Sequence, residues 1–226
     1  MAKPTGINGP LKIGVDADDQ GSVEFQQVAF PSDKASIEQL IASAFVQCIA
    51  QMPGPDGASL QMRELVQNAE DDFDFSVTLP DGPAYLELMK AAPLQGPYKR
   101  APARYKPYEY ASKVLAQIGE KAASYPRAGV HRIYLLVYVT HFAFILSPST
   151  INCLRYWLGS LPSPFAGVFL YMPITATEGI PEWLLPGELP AGFHPNQVIN
   201  AVVTNADPRA AQAVQGGAVI MEPPAA

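Results

Sequence analysis

The stretch EDDFDFSVTLPDGPAYLELMK, residues 70–90, predicts a β-hairpin and with it the centre of the fold. Its two halves alternate apolar and polar residues, which is typical of strands with one buried face, and they flank turn-forming residues at 80–83. If those four residues form the loop, Leu79 pairs with Ala84, and directly opposed residues share a face. The apolar face of the predicted hairpin then consists of Phe73, Phe75, Val77, Leu79, Leu86 and Leu88.

The opposite face of the predicted hairpin is polar and contains several carboxylates. It consists of Asp72, Asp74, Ser76, Thr78, Tyr85, Glu87 and Met89. In this register Asp74 lies diagonal to Glu87, with Cβ atoms roughly 6–8 Å apart. Two carboxylates at that separation can share one Mg²⁺ or Mn²⁺ ion, since these hard cations prefer oxygen ligands. Two interpretations stay open: a metal site, or a solvent-exposed face that is polar for solubility alone.

The rest of the chain alternates helical and strand patterns. Apolar residues at three- and four-residue spacing predict helices, and continuous apolar runs predict buried strands. The helices fall at 35–51, 108–125 and 147–161, and the strands at 132–146 and 165–174. This order indicates an α/β fold with a mixed central sheet flanked by helices. We expect one α/β domain over residues 1–175, with an N-terminal hairpin at 11–30 and a core at 35–175, followed by a Pro/Gly-rich extension at 176–226 with a disordered end.

Composition excludes several classes of protein. The net charge of −6 argues against a protein that coats nucleic acid by bulk charge, although nine Lys/Arg against two acids fall between Lys90 and Arg132. No apolar run reaches the ~18 residues that span a bilayer, so we expect no membrane association. Cys48 and Cys153 match no metal or redox spacing, which favours a reducing cytoplasm. The sequence contains neither a phosphate-binding loop nor a dinucleotide-binding glycine motif.

Asp74 on one strand, then Glu87 in the apolar context YLEL on the next, resembles the PD-(D/E)XK nuclease superfamily, which has the restriction-endonuclease-like fold. The resemblance implies an αβββαβ core and metal-dependent hydrolysis of phosphodiester bonds in nucleic acid. It implies that Asp74 and Glu87 hold Mg²⁺ or Mn²⁺. A further carboxylate, Glu38 on the first helix or Glu64 after it, would stand for the extra acid that many members use.

The active-site motif is degenerate, because Met89 stands where the family has lysine. Lys90 is adjacent, but alternation directs it to the apolar face unless a bulge re-aims it. Lys113, on the following helix, is the other lysine expected to reach the site. The sequence therefore predicts either a metal-dependent nuclease or a non-catalytic interaction module that keeps the fold without the chemistry. An unrelated α/β domain, whose acidic hairpin has no chemical role, is a third interpretation.

The segment YKRAPARYKPYEYASK, residues 98–113, interleaves basic residues with tyrosines. In a nuclease-like protein, phosphates would contact Lys99, Arg100, Arg104 and Lys106, and tyrosines would stack on bases. The alternative is a solvated loop that its prolines hold extended. The C-terminal third, with PEWLLPGELP at 181–190, suggests a surface for a protein partner or a homodimer.

Overall fold

The computed structural model describes residues 11–15, 21–25, 30–54, 57–68, 73–91, 104–125, 132–140 and 145–204. Within them the chain forms helices α1 (Lys34–Ile49), α2 (Pro107–Ala123) and α3 (Pro148–Ser160), and a 3₁₀ helix at Pro195–Val198. The strands are β1 (Leu11–Val15), β2 (Gly21–Phe25), β3 (Arg63–Gln67), β4 (Phe75–Leu79), β5 (Gly82–Lys90), β6 (Arg104–Tyr105), β7 (Ile133–Tyr138), β8 (Gly167–Pro173), β9 (Gly179–Leu185) and β10 (Val203–Thr204).

A six-stranded mixed sheet forms the centre of the molecule, in the order β3-β4-β5-β7-β8-β9. Strands β5, β7 and β8 are parallel, while β3–β4, β4–β5 and β8–β9 pair antiparallel. The predicted α/β class with a mixed sheet flanked by helices is therefore confirmed. Because β9 belongs to this sheet, the sheet continues past residue 175, where the sequence predicted the extension to begin. β1 and β2 pair as a separate hairpin, and β6 pairs with β10.

The predicted register of the β4–β5 hairpin is wrong by two residues. Leu79 pairs with Gly82 rather than with Ala84, so the loop contains only residues 80 and 81. Gly82 takes φ +136°, a conformation that favours glycine and lets the chain turn this tightly. An even shift preserves side-chain alternation, so the residues of β4 and β5 keep their predicted faces.

Each face of the sheet carries its own hydrophobic core. On one face, α1 packs Ile41, Phe45 and Ile49 against residues such as Phe75 and Leu86. Three- and four-residue spacing places these side chains on one stripe of α1, and the Asp33 carboxylate caps the helix by accepting from the Ser36 N–H at 2.8 Å. On the other face, α2 and α3 cover the sheet. The fold is therefore a three-layer α/β/α sandwich.

The face of β5 that bears Glu87 is not a solvated surface. The Glu87 residue is only 1% exposed, because α2 packs over this side of the sheet. Phe73 also lies on this side: its ring stacks on Tyr85 at a centroid distance of 4.0 Å and on Tyr125 at 5.8 Å. The prediction that placed Phe73 beside Phe75 is wrong, because β4 begins at Phe75 and strand alternation does not extend back to residue 73.

No helix among the described residues is long and apolar enough to cross a bilayer.

Candidate active site

The carboxylates singled out from the sequence meet where β4 begins and β5 nears its end. Asp74 comes directly before β4, and Glu87 lies on β5, which is parallel to β7. Phe75 pairs with Leu86, so one step further along the ladder Asp74 stands opposite Glu87. Crevices beyond the carboxyl ends of parallel strands are the usual place for sites in open α/β sheets. The topology thus brings both acids to an edge where ligands commonly bind.

Lys121, in the last turn of α2, joins the two carboxylates. Its Nζ lies 2.5 Å from Oε2 of Glu87 and 3.6 Å from Oδ2 of Asp74. Backbone N–H groups also hold the two carboxylates in place. The Asp74 N–H donates to Oε1 of Glu87 at 3.1 Å, and the Leu88 N–H donates to Oδ2 of Asp74 at 2.7 Å. We call Asp74, Glu87 and Lys121 the carboxylate–lysine cluster.

Burial and charge act on the cluster in opposite directions. Burial raises the pKa of Glu87, and the Asp74 charge adds to this, while the bonds from Lys121 and from the Tyr125 hydroxyl lower it; the net direction is upward. Burial alone would lower the pKa of Lys121, but the bond to Glu87 and the charge of Asp74 outweigh it, so that pKa is raised. Lys121 is therefore an ammonium at neutral pH, held between two carboxylates.

Tyr125 closes the cluster on the side of α2. Its hydroxyl donates to Glu87, and its ring stacks on Phe73 with the planes only 9° apart. Burial raises the pKa of the Tyr125 phenol, and the bond to Glu87 raises it further because it favours the protonated donor. Tyr125 thus fixes the orientation of the Glu87 carboxylate without carrying charge itself.

Glu38 supplies a third carboxylate near the cluster, from the opposite side of the sheet. It is 7% exposed on α1 and pairs with Lys34 at 3.4 Å. Burial raises the pKa of Glu38; the Lys34 charge opposes this, and the Asp74 charge adds to it. Gln67 donates to the Ala35 carbonyl at 3.3 Å, which ties the start of α1 to the strand beside Asp74.

Glu64, the other candidate for the extra carboxylate, is not brought to the cluster. It is exposed on β3 and accepts a hydrogen bond from Oγ1 of Thr78 at 2.8 Å. Thr78 is four residues along β4 from Asp74, a separation of about 13 Å in an extended strand. Pairing of β3 with the far end of β4 therefore removes Glu64 from the predicted metal site.

Neither predicted lysine reaches the cluster. Lys113 is exposed on α2, eight residues before Lys121, which is about 12 Å along the helix axis. Lys90 is half-buried; it follows Leu88 by two residues on β5, so it lies on the α1 side of the sheet. The pairing of β5 with β7 is regular from Tyr85 to Lys90, so no bulge re-aims it, and burial lowers its pKa. Lys121 was not predicted from the sequence, although helical spacing could have indicated it, because it follows the buried Val114 by seven residues and Ile118 by three.

The basic segment lies away from the cluster where the structure describes it. Lys99 and Arg100 fall outside the described residues. Arg104 is exposed on β6, and Lys106, at the N-cap of α2, pairs with Glu109 at 3.1 Å. Lys106 precedes Lys121 by fifteen residues, about 22 Å along α2. A phosphate chain would have to span several nucleotides to contact both.

The cluster fits a divalent cation in part. Among the described residues, no group of three His, Cys, Asp or Glu side chains stands ready to hold a metal ion. Mg²⁺, however, is commonly bound by one or two carboxylates together with water and substrate phosphate. Asp74 and Glu87 provide such a pair, and within the described part of the chain no donor is bonded to Oδ1 of Asp74. Lys121 is the competing cation for both carboxylates.

Comparison of the chain with protein-family profiles, with curated proteins and with solved structures gave no match.

Proposed function

We propose that this chain is a metal-dependent phosphodiesterase acting on nucleic acid, with a PD-(D/E)XK-like site in which α2 supplies the lysine. The observation that carries the proposal is the position of Lys121, whose Nζ lies within 3.6 Å of an oxygen of both Asp74 and Glu87. An ammonium beside two carboxylates suits metal-assisted hydrolysis of a phosphodiester, because the acids can hold a cation and the ammonium can contact the phosphate.

The order of elements supports this proposal. Apart from the two-residue strand β6 between β5 and α2, the element order α1, β3, β4, β5, α2, β7 is compatible with the αβββαβ order that the resemblance implies. The two carboxylates fall on the second and third strands of that order, and Lys121 falls on the second helix. A lysine supplied by the helix offsets the loss of lysine at Met89.

Mg²⁺ or Mn²⁺ held by Asp74 and Glu87 would polarise the phosphate and lower the pKa of a bound water. The side chains of this protein have separate tasks. Lys121 is 28% exposed, so its ammonium can contact a phosphate oxygen while remaining beside the acids. Tyr125 and the Asp74 N–H keep the Glu87 carboxylate fixed. Fixed polar groups cost little reorganisation when charge develops on the phosphate.

Cleavage of a supercoiled plasmid and of single-stranded DNA and RNA, with Mn²⁺ or with chelator, tests the proposal. We expect metal-dependent cleavage that falls about 10²–10³-fold in Lys121→Met and in Asp74→Asn, since each removes a charge next to the reacting phosphate. Lys113→Met, which removes an exposed lysine from the same helix, should retain the rate of the wild type. Cleavage by Lys121→Met at the wild-type rate would contradict the assignment.

The second candidate function is a non-catalytic interaction module, and one observation favours it. Lys121 already neutralises Glu87 at 2.5 Å, so the buried acid needs no metal ion for charge balance. In such a protein the cluster is a structural ion pair. Absence of metal-dependent cleavage, together with thermal stability that Mn²⁺ leaves unchanged, would favour this candidate.

A further inference from the structure

A cavity of about 480 Å³ lies at the other end of the sheet from the carboxylate–lysine cluster. It is lined by the β4–β5 turn, the starts of β7 and β8, the end of β9, Gly54 and residues 58–61. Leu79 in its wall is five residues along β4 from Asp74, or about 17 Å. The volume falls within the range of small-molecule pockets, about 300–1,000 Å³. This cavity is separate from the proposed active site.

Arg132 lines the cavity with a guanidinium that is anchored by hydrogen bonds and still has free N–H groups among the described residues. Its Nε donates to the Tyr134 hydroxyl at 2.9 Å, and its Nη1 donates to Oδ2 of Asp81 at 2.6 Å. The Arg132 carbonyl also accepts from the Tyr85 N–H, which anchors the backbone. Nη2 has no hydrogen-bond partner among the described residues. The N–H groups of Nη2 are therefore the donors of Arg132 that remain for the carboxylate of a ligand.

The wall of the cavity around Trp183 is apolar. The Trp183 side chain lines the cavity together with Leu60 and Pro186. Its indole N–H is buried, so a ligand in the cavity would contact the ring rather than the N–H. The cavity thus combines apolar walls with the guanidinium of Arg132.

We propose that this cavity binds a small monocarboxylate with a flat apolar body. The carboxylate would accept hydrogen bonds from Nη2 of Arg132, and the apolar body would lie against Leu60 and the ring of Trp183. Asp81 is the acid of the lining and is 66% exposed at the rim, so it competes with the ligand for Arg132 from the solvent side. Removing the Asp81 charge should therefore tighten binding, whereas removing the Arg132 charge should weaken it.

The two tryptophans of the chain allow a site-resolved test with 2-naphthoate as the probe. In a ¹H–¹⁵N spectrum, we expect the indole N–H signal of Trp183 to shift on titration. The signal of Trp157, which packs on Tyr108 from α3, should stay in place. The neutral 2-naphthol and the cationic 2-naphthylmethylamine have the same apolar body, and we expect both to bind at least about tenfold more weakly than 2-naphthoate.

Variants separate the contribution of charge from that of shape. We expect Arg132→Gln to weaken 2-naphthoate binding about tenfold or more, and Asp81→Asn to tighten it severalfold. Lys113→Gln, which removes one positive charge on the other face of the sheet, and Asp74→Asn at the proposed active site should both leave the affinity unchanged. A thermal melt checks that Arg132→Gln folds, and Asp81→Asn tests the proposal independently of that check.

Three results would overturn the proposal. Equal binding of naphthol and naphthoate would mean that apolar surface alone binds the probe. Weaker naphthoate binding by Asp81→Asn would reverse the assigned sign of charge. An unmoved Trp183 signal at saturating probe would place any binding elsewhere. None of these results bears on the carboxylate–lysine cluster.

Discussion

Replacing Lys121 with methionine should destabilise the protein by an amount that depends on pH. Methionine keeps the length and apolar stem of the lysine but removes the ammonium, which lies 2.5 Å from Oε2 of Glu87. The Glu87 side chain is only 2% exposed, so bulk water cannot solvate its carboxylate in place of the ammonium. The substitution therefore leaves a buried carboxylate without its counter-ion.

The expected loss follows from the surroundings of Glu87. Breaking a buried ion pair by removing one partner typically costs about 3–5 kcal/mol. Two features reduce this cost: Lys121 is 28% exposed, and Glu87 retains donors in the Tyr125 hydroxyl and the Asp74 N–H. We expect about 2 kcal/mol near pH 7, which lowers the Tm by roughly 4–8 °C for a chain of this length.

The loss of stability in Lys121→Met should depend on pH. Burial raises the pKa of Glu87 above its ordinary value of 4.5, and removal of Lys121 raises it further. A carboxyl whose pKa is raised on folding adds stability below its ordinary pKa, and this stability is lost as the pH rises through the folded value. The difference in stability between variant and wild type should therefore be smaller near pH 4 than near pH 7, because it grows as the pH rises and Glu87 ionises beside Lys121 in the wild type.

Urea unfolding near pH 4 and near pH 7 measures both quantities. Lys113→Met is the matched control, because it removes an exposed lysine from the same helix and should change stability by less than about 0.5 kcal/mol. A double-mutant cycle with Glu87→Gln should give a coupling energy of about 1 kcal/mol or more. A loss in Lys121→Met that matches Lys113→Met, or that is equal at both pH values, would refute the reasoning.

Three further substitutions test other parts of the structure. Glu38→Gln should raise the Tm near pH 8 more than near pH 5, because burial raises the pKa of Glu38 and its ionisation costs stability as the pH rises; an equal shift at both pH values would contradict this. Tyr125→Phe keeps the ring stack and loses the bond to Glu87, so unfolding should show a loss of about 1 kcal/mol, and an unchanged midpoint would argue against that bond. The Phe45 ring lies 5.0 Å from the ring of Phe169 and 5.8 Å from that of Tyr171, between centroids. Phe45→Ala leaves a cavity there and should lower the free energy of unfolding by about 3–5 kcal/mol in the same assay. A loss below about 1 kcal/mol would mean that Phe45 is not in the core.

Local sequence patterns were sufficient for much of the fold. The alternation of residues 73–90 predicted a hairpin with Asp74 and Glu87 on one face, and the spacing of apolar residues predicted a helix at 35–51, which corresponds to α1. The faces of β4 and β5 survived a wrong register because the error was an even number of residues. A four-residue loop was predicted because Gly82 and Pro83 favour turns, but both belong to β5.

The identity of the lysine in the cluster depends on how α2 packs on the sheet. Lys113 and Lys121 both lie on α2, and the packing of the helix on the sheet decides which one reaches Glu87. The buried positions Val114 and Ile118 were available as a guide, because Lys121 continues their stripe and Lys113 does not. The covering of Glu87 was likewise unexpected, since an alternating antiparallel hairpin commonly leaves one face in water.

The measurement that tests the central claim most directly is a thermal melt with and without about 5 mM Mn²⁺, on the wild type and on Asp74→Asn/Glu87→Gln. An ion present at about 100 times its dissociation constant adds about 2.7 kcal/mol to the free energy of unfolding. If the two carboxylates form a metal site, Mn²⁺ should raise the Tm of the wild type and leave the double variant unchanged. Identical responses of the two proteins would contradict the metal site and leave the carboxylate–lysine cluster as a structural ion pair.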